Sequence, residues 1–237
     1  LDHLDLRDKG MNIEVFPEVP RAMGMGGSAA LAVAIIRALN KHFELGLGDD
    51  DVRRLSFESE DIVHGGASGI DNTVSTYGNL IAFQKGTPPE MQTITLTESI
   101  PIVIGLSGVE SMTSKMVNQV REQAEKYPKW YKQIFKQMDE LAIASKEAIE
   151  SRDLDELGMI MNMNHGFLNI LGVSCPEVEE LVEIARQNGA LGAKLTGGGG
   201  GGAMIALCDS EKTQNKIQKE MHQAGYDALI TEIKSNK

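Results

Sequence analysis

Residues 192–207 read GAKLTGGGGGGAMIAL, a run of glycine held between two short apolar segments. A flexible tether would normally separate domains, whereas here apolar segments flank the glycines closely on both sides. The stretch therefore reads as two packed strands joined by a loop whose backbone closely approaches a ligand or another loop. The second half of the chain arranges itself around this pair. Upstream, IPIVIGL (residues 100–106) reads as a strand. A helical tract then extends over about residues 114–171, broken near Tyr127-Pro128 and around Ser151, with Ile134, Met138, Leu141 and Ala142 as one apolar stripe. A helix after Pro176 turns Val178, Leu181, Val182 and Ala185 inward and stops at Asn188-Gly189. A helix near residues 211–224 and a strand ALITEI close the chain.

In the first half, residues 11–19 (MNIEVFPEV) alternate apolar and polar side chains and read as a strand that stops at Pro20. A glycine loop follows, then a helix capped by Ser28 with Leu31, Ile35, Ala38 and Leu39 on one face. Asp49, Asp50 and Asp51 suit the amino end of a second helix. HGGASGIDNTVSTYGN is a loop by composition, and NLIAF and MQTITL read as strands. A domain boundary is expected near Leu96, giving domains 1–96 and 97–237. The irregular alternation of strands and helices favours an α+β fold.

The 237 residues suffice for one large or two modest domains with a real core. A net charge of −11 argues against nucleic-acid or anionic-membrane partners, which want a positive field. No apolar run approaches the ~20 residues of a membrane span, and no secretory signal opens the chain, so a cytoplasmic protein is expected. Cys175 and Cys208 are too few for a disulfide framework and lack metal-ligand spacing. The start at Leu1 rather than Met suggests a piece of something longer.

Three glycine-rich segments carry the chemistry. Gly24-Met25-Gly26-Gly27-Ser28-Ala29 fits G-x-G-x-x-A, yet a dinucleotide fold needs a parallel strand and an acid after the first helix, and an acidic helix follows instead. No lysine precedes Ser28, which excludes the Gly-Lys-Ser phosphate loop. Two readings stay open: a cradle in which glycines and the first turn of a helix present N–H groups to an anion, or a plain strand-to-helix turn with a Ser cap. Asp71, between glycine and asparagine, is either turn chemistry or a catalytic acid. Glu60 stands four residues before His64, on one helix face if the second helix runs that far.

Together, PRAMGMGGSAA, ESEDIVHGGASGIDNTVSTYGN and NHGFLNILGVS…GALGAKLTGGGGGGAMI resemble the galactokinase, homoserine kinase, mevalonate kinase and phosphomevalonate kinase (GHMP) superfamily, and within it the mevalonate kinases most. The segments occur in the family's order. The resemblance implies an incomplete amino-terminal domain like the second domain of ribosomal protein S5 and a ferredoxin-like carboxy-terminal domain. It implies ATP and Mg²⁺ as cofactors, with the nucleotide held by Gly24, Met25, Gly26, Gly27, Ser28 and Ala29 and by Gly197, Gly198, Gly199 and Gly200 of the loop running to Gly202. Ser28 and Glu60 would face the metal. Asp71 would take the proton from the alcohol, and Thr113 would lie close to the transferred phosphate. The reaction implied is phosphorylation of the primary hydroxyl of mevalonate to 5-phosphomevalonate, chemistry that depends on positioning and charge neutralisation.

The chain also departs from the family. Its amino-terminal segment, with a lysine beside the catalytic acid, is expected upstream of Leu1. Arg21-Ala22 stands where Pro-Gly is common, Gly27 replaces the first of two serines, and Ser111 stands where arginine is frequent. A second reading follows from these departures: a non-catalytic kinase-like module or part of a larger, fused enzyme. A kinase for another small alcohol, such as homoserine or phosphomevalonate, is a further alternative. A homodimer and a fused upstream domain complete the expectations.

Overall fold

The computed structural model describes residues 4, 6–17, 23–64, 68–86 and 89–234. The chain divides into two compact units. One holds the residues before the glycine loop together with Gly26–Gln92; the other runs from Thr93 onward and includes Met23, Gly24 and Met25.

The first unit is built from α1 (Gly27–Phe43), α2 (Asp49–His64) and α3 (Ile70–Tyr77), followed by the paired strands β1 (Ile81–Gln84) and β2 (Glu90–Thr93). Val33 and Ile36 of α1 pack against Val52 and Leu55 of α2, with Leu4 and Leu47 at the margin. Arg37 joins all three helices, donating to Asp49 Oδ1 at 2.8 Å and to the Thr76 carbonyl at 2.7 Å. Asn40 closes the link between α1 and α2 by exchanging two 3.0 Å bonds with the Leu47 backbone.

Four sequence expectations are corrected here. The buried face of α1 is Ala29, Val33, Ile36 and Leu39, while Leu31 is exposed. The helix is apolar nearly all round, so spacing alone could not select the face. Ser28 is not the cap: Gly26 occupies the N-cap position in the left-handed conformation, without a side-chain cap bond. Residues 11–17 form no strand, and 18–19 lie outside the described residues. Pro17 removes a ladder donor, and Ile13 and Val15, which an alternating strand would bury together, are both exposed. The segment read as a loop is helical over Ile70–Tyr77 because its polar residues point inward: Asn72, Thr73 and Thr76 are buried, and Thr73 Oγ1 donates to the Gly69 carbonyl at 2.7 Å.

The second unit carries an antiparallel sheet in the order β4-β5-β3-β6, from β3 (Ile100–Leu106), β4 (Gly192–Thr196), β5 (Ala203–Leu207) and β6 (Asp227–Ile233). Helices α4 (Thr113–Lys126), α5 (Pro128–Ser151), α6 (Leu154–Ile170) and α7 (Pro176–Gln187) lie between β3 and β4 in the chain, and α8 (Glu211–Gln223) lies between β5 and β6. This is the strand-helix-strand-strand-helix-strand course of a ferredoxin-like domain. The long helical tract breaks where the sequence breaks it: Pro128 starts α5, and Arg152 ends it in the left-handed region. The register aligns Leu195 with Met204 and Ala193 with Ala206. These residues join Val178, Leu181 and Val182 of α7 and Ile217 and Met221 of α8 in one core. Each fully buried Val, Leu, Ile or Met side chain of this core contributes about 1.5–3 kcal/mol.

One edge of this sheet is closed by side chains. Helix α6 meets β4 backbone to backbone: a Cβ on Gly158 would lie 2.5 Å from the Leu191 carbonyl oxygen. Asn162 Oδ1 then accepts from Ala193 N–H at 3.1 Å, His165 Nδ1 accepts from Leu195 N–H at 3.2 Å, and Arg186 of α7 donates to the Ala193 carbonyl at 3.0 Å.

Candidate active site

In the first unit the expected phosphate loop opens α1. The earliest helical bond there is from Ala30 N–H to the Gly26 carbonyl at 2.9 Å, so the amides of Gly27, Ser28 and Ala29 precede the ladder and have no acceptor within the helix. Gly27 and Ser28 are exposed, whereas Ala29 is fully buried, so the accessible amides here are those of Gly27 and Ser28. Gly26 needs φ +65°, and a Cβ there would meet Asp71 Cβ and Cγ at 3.4 Å. Glycine thus sets the start of the helix and lets Asp71 approach it.

Asp71 stands in the first turn of α3, after Gly69 in the left-handed conformation. Ser28 Oγ donates to Glu60 Oε1 of α2 in a very short bond. The first unit therefore gathers Gly26, Ser28, Glu60 and Asp71. Desolvation, and then the repulsion of Glu60, pushes the Asp71 carboxyl above the ordinary carboxylate range. Helix α2 does extend through His64, whose side chain lies outside the described residues. Beside Asp71, Asn72 is fully buried with neither Oδ1 nor Nδ2 hydrogen-bonded.

In the second unit the two glycine segments touch. A Cβ on Gly197 would lie 2.7 Å from the Gly24 carbonyl oxygen, and one on Gly202 would lie 2.9 Å from that of Met23. Met25, half-buried, belongs to the same segment. The long loop is tied to its surroundings through its own backbone. Gly200 N–H donates to the Val173 carbonyl and Gly202 N–H to the Val109 carbonyl, both at 2.8 Å. Ser107 Oγ donates to the Gly202 carbonyl at 2.7 Å and Ser111 Oγ to that of Gly199 at 3.0 Å. Thr113 begins α4, its Oγ1 3.3 Å from Ser111 Oγ. A Cβ on Gly198 would lie 2.4 Å from Thr113 Oγ1. The second unit thus gathers Gly24, Gly197, Gly198, Gly199 and Thr113, with Gly200 held by Val173.

In the sequence Ser111 stands out only as a departure from the family's arginine, and Ser107 belongs to no motif. A small hydroxylated residue just after a strand, ahead of a helix, was the available signal, and only the fold shows what each one anchors.

Two family models match: the GHMP kinases N-terminal domain over residues 1–79 and the GHMP kinases C-terminal domain over residues 145–227. Mevalonate kinase of Pyrococcus furiosus is 37% identical over 238 residues, covering 98% of this chain and 70% of that protein. Mevalonate kinase of Pyrococcus abyssi is 38% identical, with 98% and 69% covered. Among solved structures, the L. major mevalonate kinase in complex with R-mevalonate superposes with a TM-score of 0.85 at 33% identity, covering 93% of this chain and 68% of that one. These matches cover nearly all of this chain, which spans about two thirds of the length of each relative. The chain belongs to the GHMP kinases, and among them to the mevalonate kinases.

Proposed function

We propose that this chain transfers the γ-phosphoryl group of ATP to the primary hydroxyl of mevalonate, giving 5-phosphomevalonate and ADP. The observation that carries the proposal is the approach of Asp71 to Gly26 at the head of α1, beside the Ser28–Glu60 pair. It joins a base to an anion-binding helix start, the two parts that phosphoryl transfer to an alcohol requires.

In this reading the amides of Gly27 and Ser28 bind nucleotide phosphates at the head of α1, where Gly26 and Ala29 shape the turn; in the second unit Gly197, Gly198, Gly199 and Gly200, with Gly24 and Met25, are the nucleotide-binding backbone that the family resemblance implies. Thr113 lies at the transferred group, where its hydroxyl donates to a phosphate oxygen. The Ser28 hydroxyl and the Glu60 carboxylate are hard oxygen donors already side by side, a pair that suits Mg²⁺, which is held by one or two carboxylates together with substrate phosphates. When bound, Mg²⁺ supplies positive charge to the phosphates. Asp71 accepts the proton of the attacking hydroxyl. Its raised proton affinity makes it a stronger base than a free aspartate, provided it is ionised at the working pH. The same reading places the enzyme in the cytoplasm, where ATP and Mg²⁺ are supplied together.

The test is Asp71→Ala, followed by calorimetry with Mg-ATP and by mevalonate-dependent ADP release. We expect turnover to fall by at least about 10²-fold, the low end for loss of a general base, with nucleotide affinity within about threefold. Unchanged turnover removes Asp71 from the mechanism. A wild-type chain that binds no Mg-ATP favours the non-catalytic reading, and one that releases ADP with homoserine or phosphomevalonate but not mevalonate redirects the substrate.

A further inference from the structure

The strand that leads into the glycine loop is held at its outer edge by a buried imidazole. His165, on α6, is 1% exposed. Its Nδ1 accepts the Leu195 N–H at 3.2 Å, two residues before Gly197. An acceptor at Nδ1 requires the neutral ring with its proton on Nε2. That nitrogen lies 3.1 Å from Glu179 Oε1 of α7, close in charge but not aligned as a hydrogen bond. Glu179 is itself fixed, by a short bond from Ser174 Oγ and by Asn169 Nδ2 at 3.0 Å. Ser174 directly follows Val173, whose carbonyl holds Gly200 N–H at 2.8 Å. The Glu179–His165 pair therefore lies between the strand entering the loop and the turn that holds its middle.

We propose that His165 is a positioning residue for the Gly197–Gly202 loop, acting through the Leu195 amide, with Glu179 as the charged neighbour of its other nitrogen. This rests on the reading that the loop binds the nucleotide. An edge-strand amide must find an acceptor when it is buried, and the neutral imidazole supplies one at a fixed height on α6. Protonation of the ring replaces that acceptor with a donor and sets two N–H groups against each other. The charged groups facing the ring are Glu179 and Arg186 of α7 and Lys194 of β4. Burial first, then Arg186 and Lys194, favour the neutral form over the opposing pull of Glu179.

Three measurements test the proposal on the whole chain. In the wild type, nitrogen NMR of the imidazole should show the Nε2–H tautomer between about pH 6.5 and 8, with the Leu195 amide protected from exchange. His165→Leu keeps an apolar side chain of similar size but no acceptor. It should expose the Leu195 amide to exchange and weaken Mg-ATP binding by about tenfold, the scale of one lost hydrogen bond. His165→Gln, which can accept from Leu195 and donate to Glu179, should restore both to within about threefold. The pH titration of the wild type needs no variant, so the idea remains testable if His165→Leu does not fold. An Nδ1–H tautomer, or a Leu195 amide equally protected in His165→Leu, overturns the hydrogen bond. Wild-type nucleotide binding that His165→Leu leaves unchanged overturns the positioning role alone. A wild-type chain that binds no Mg-ATP overturns instead the functional reading on which the role rests.

Discussion

Replacing Gly198 by alanine tests how the glycine loop is held. The added Cβ would lie 2.4 Å from Thr113 Oγ1, 2.5 Å from its Cγ2 and 2.7 Å from its Cβ. Ordinary carbon contacts are about 3.5–4.0 Å, so the overlap exceeds 1 Å. Rotating the threonine cannot relieve it, because the threonine's own Cβ is inside the limit and does not move with χ1. Either the loop or the first turn of α4 must shift by about 1 Å, a displacement that at a reacting centre costs about 10²-fold in rate. The accompanying overpacking should cost about 1–3 kcal/mol of stability. Gly166→Ala is the control: it lies in α6 with nothing within 4 Å of the added Cβ and should stabilise by about 0.5–1 kcal/mol through helix propensity. The assay is mevalonate-dependent ADP release, read with thermal unfolding for each variant. If Gly198→Ala turns over within about threefold of the wild type, the loop is not fixed against Thr113 as described and its contribution to the reaction must be argued from other atoms.

Two further outcomes follow from charges. Lys194 is desolvated on β4, its amine pulled down to about 8 from 10.5, with its Nζ on the Leu195 carbonyl at 2.8 Å. The unfolded chain keeps this proton up to 10.5 while the folded one releases it near 8, so stability should rise with pH between these values. Lys194→Met should flatten that rise and, measured by urea unfolding at pH 7, add about 1–3 kcal/mol; a less stable variant would show that the ammonium is better solvated than its position suggests. Burial is the larger cause of the raised proton affinity of Asp71 and the charge of Glu60 the smaller, so Glu60→Gln should move the acid limb of the pH–rate profile part of the way to lower pH. The same change should raise the half-saturating Mg²⁺ concentration by about tenfold or more, and an unchanged Mg²⁺ requirement would exclude Glu60 as a ligand.

How far the sequence could be read depended on where each signal is stored. The strands β3 to β6 and helices α7 and α8 were legible because apolar periodicity and breaker residues are local, as with Pro176 at the start of α7 and Asn188-Gly189 at its end. Helix α3 was read as loop because it buries Asn72, Thr73 and Thr76; composition reports side-chain polarity, whereas here the polar face is the inner one. The clustering of Ser28, Glu60 and Asp71 followed from family resemblance rather than from spacing, since 32 residues separate the first two and no local rule joins them. The assignment of Met23, Gly24 and Met25 to the second unit could not be read at all, for it depends on contacts with glycines far along the chain. His165 was legible only as part of NHGFLNILGVS, a string whose purpose needs the strand it meets.

The side-chain closure of β4 also governs how this unit meets other copies of itself. A four-stranded sheet normally has two lines of unpaired backbone, and a chain with two can add neighbours on both sides without end. Asn162, His165 and Arg186 occupy one line, and on β6 Gln214 and Gln218 of α8 donate to the Thr231 and Ala228 carbonyls at 2.7 and 2.8 Å. That strand exposes Asp227 and Glu232, charges that repel an identical strand set against it. Edge-to-edge growth through this sheet therefore meets α6 on one side and like charge on the other, and a strand can be added beside β4 only after α6 is torn from it.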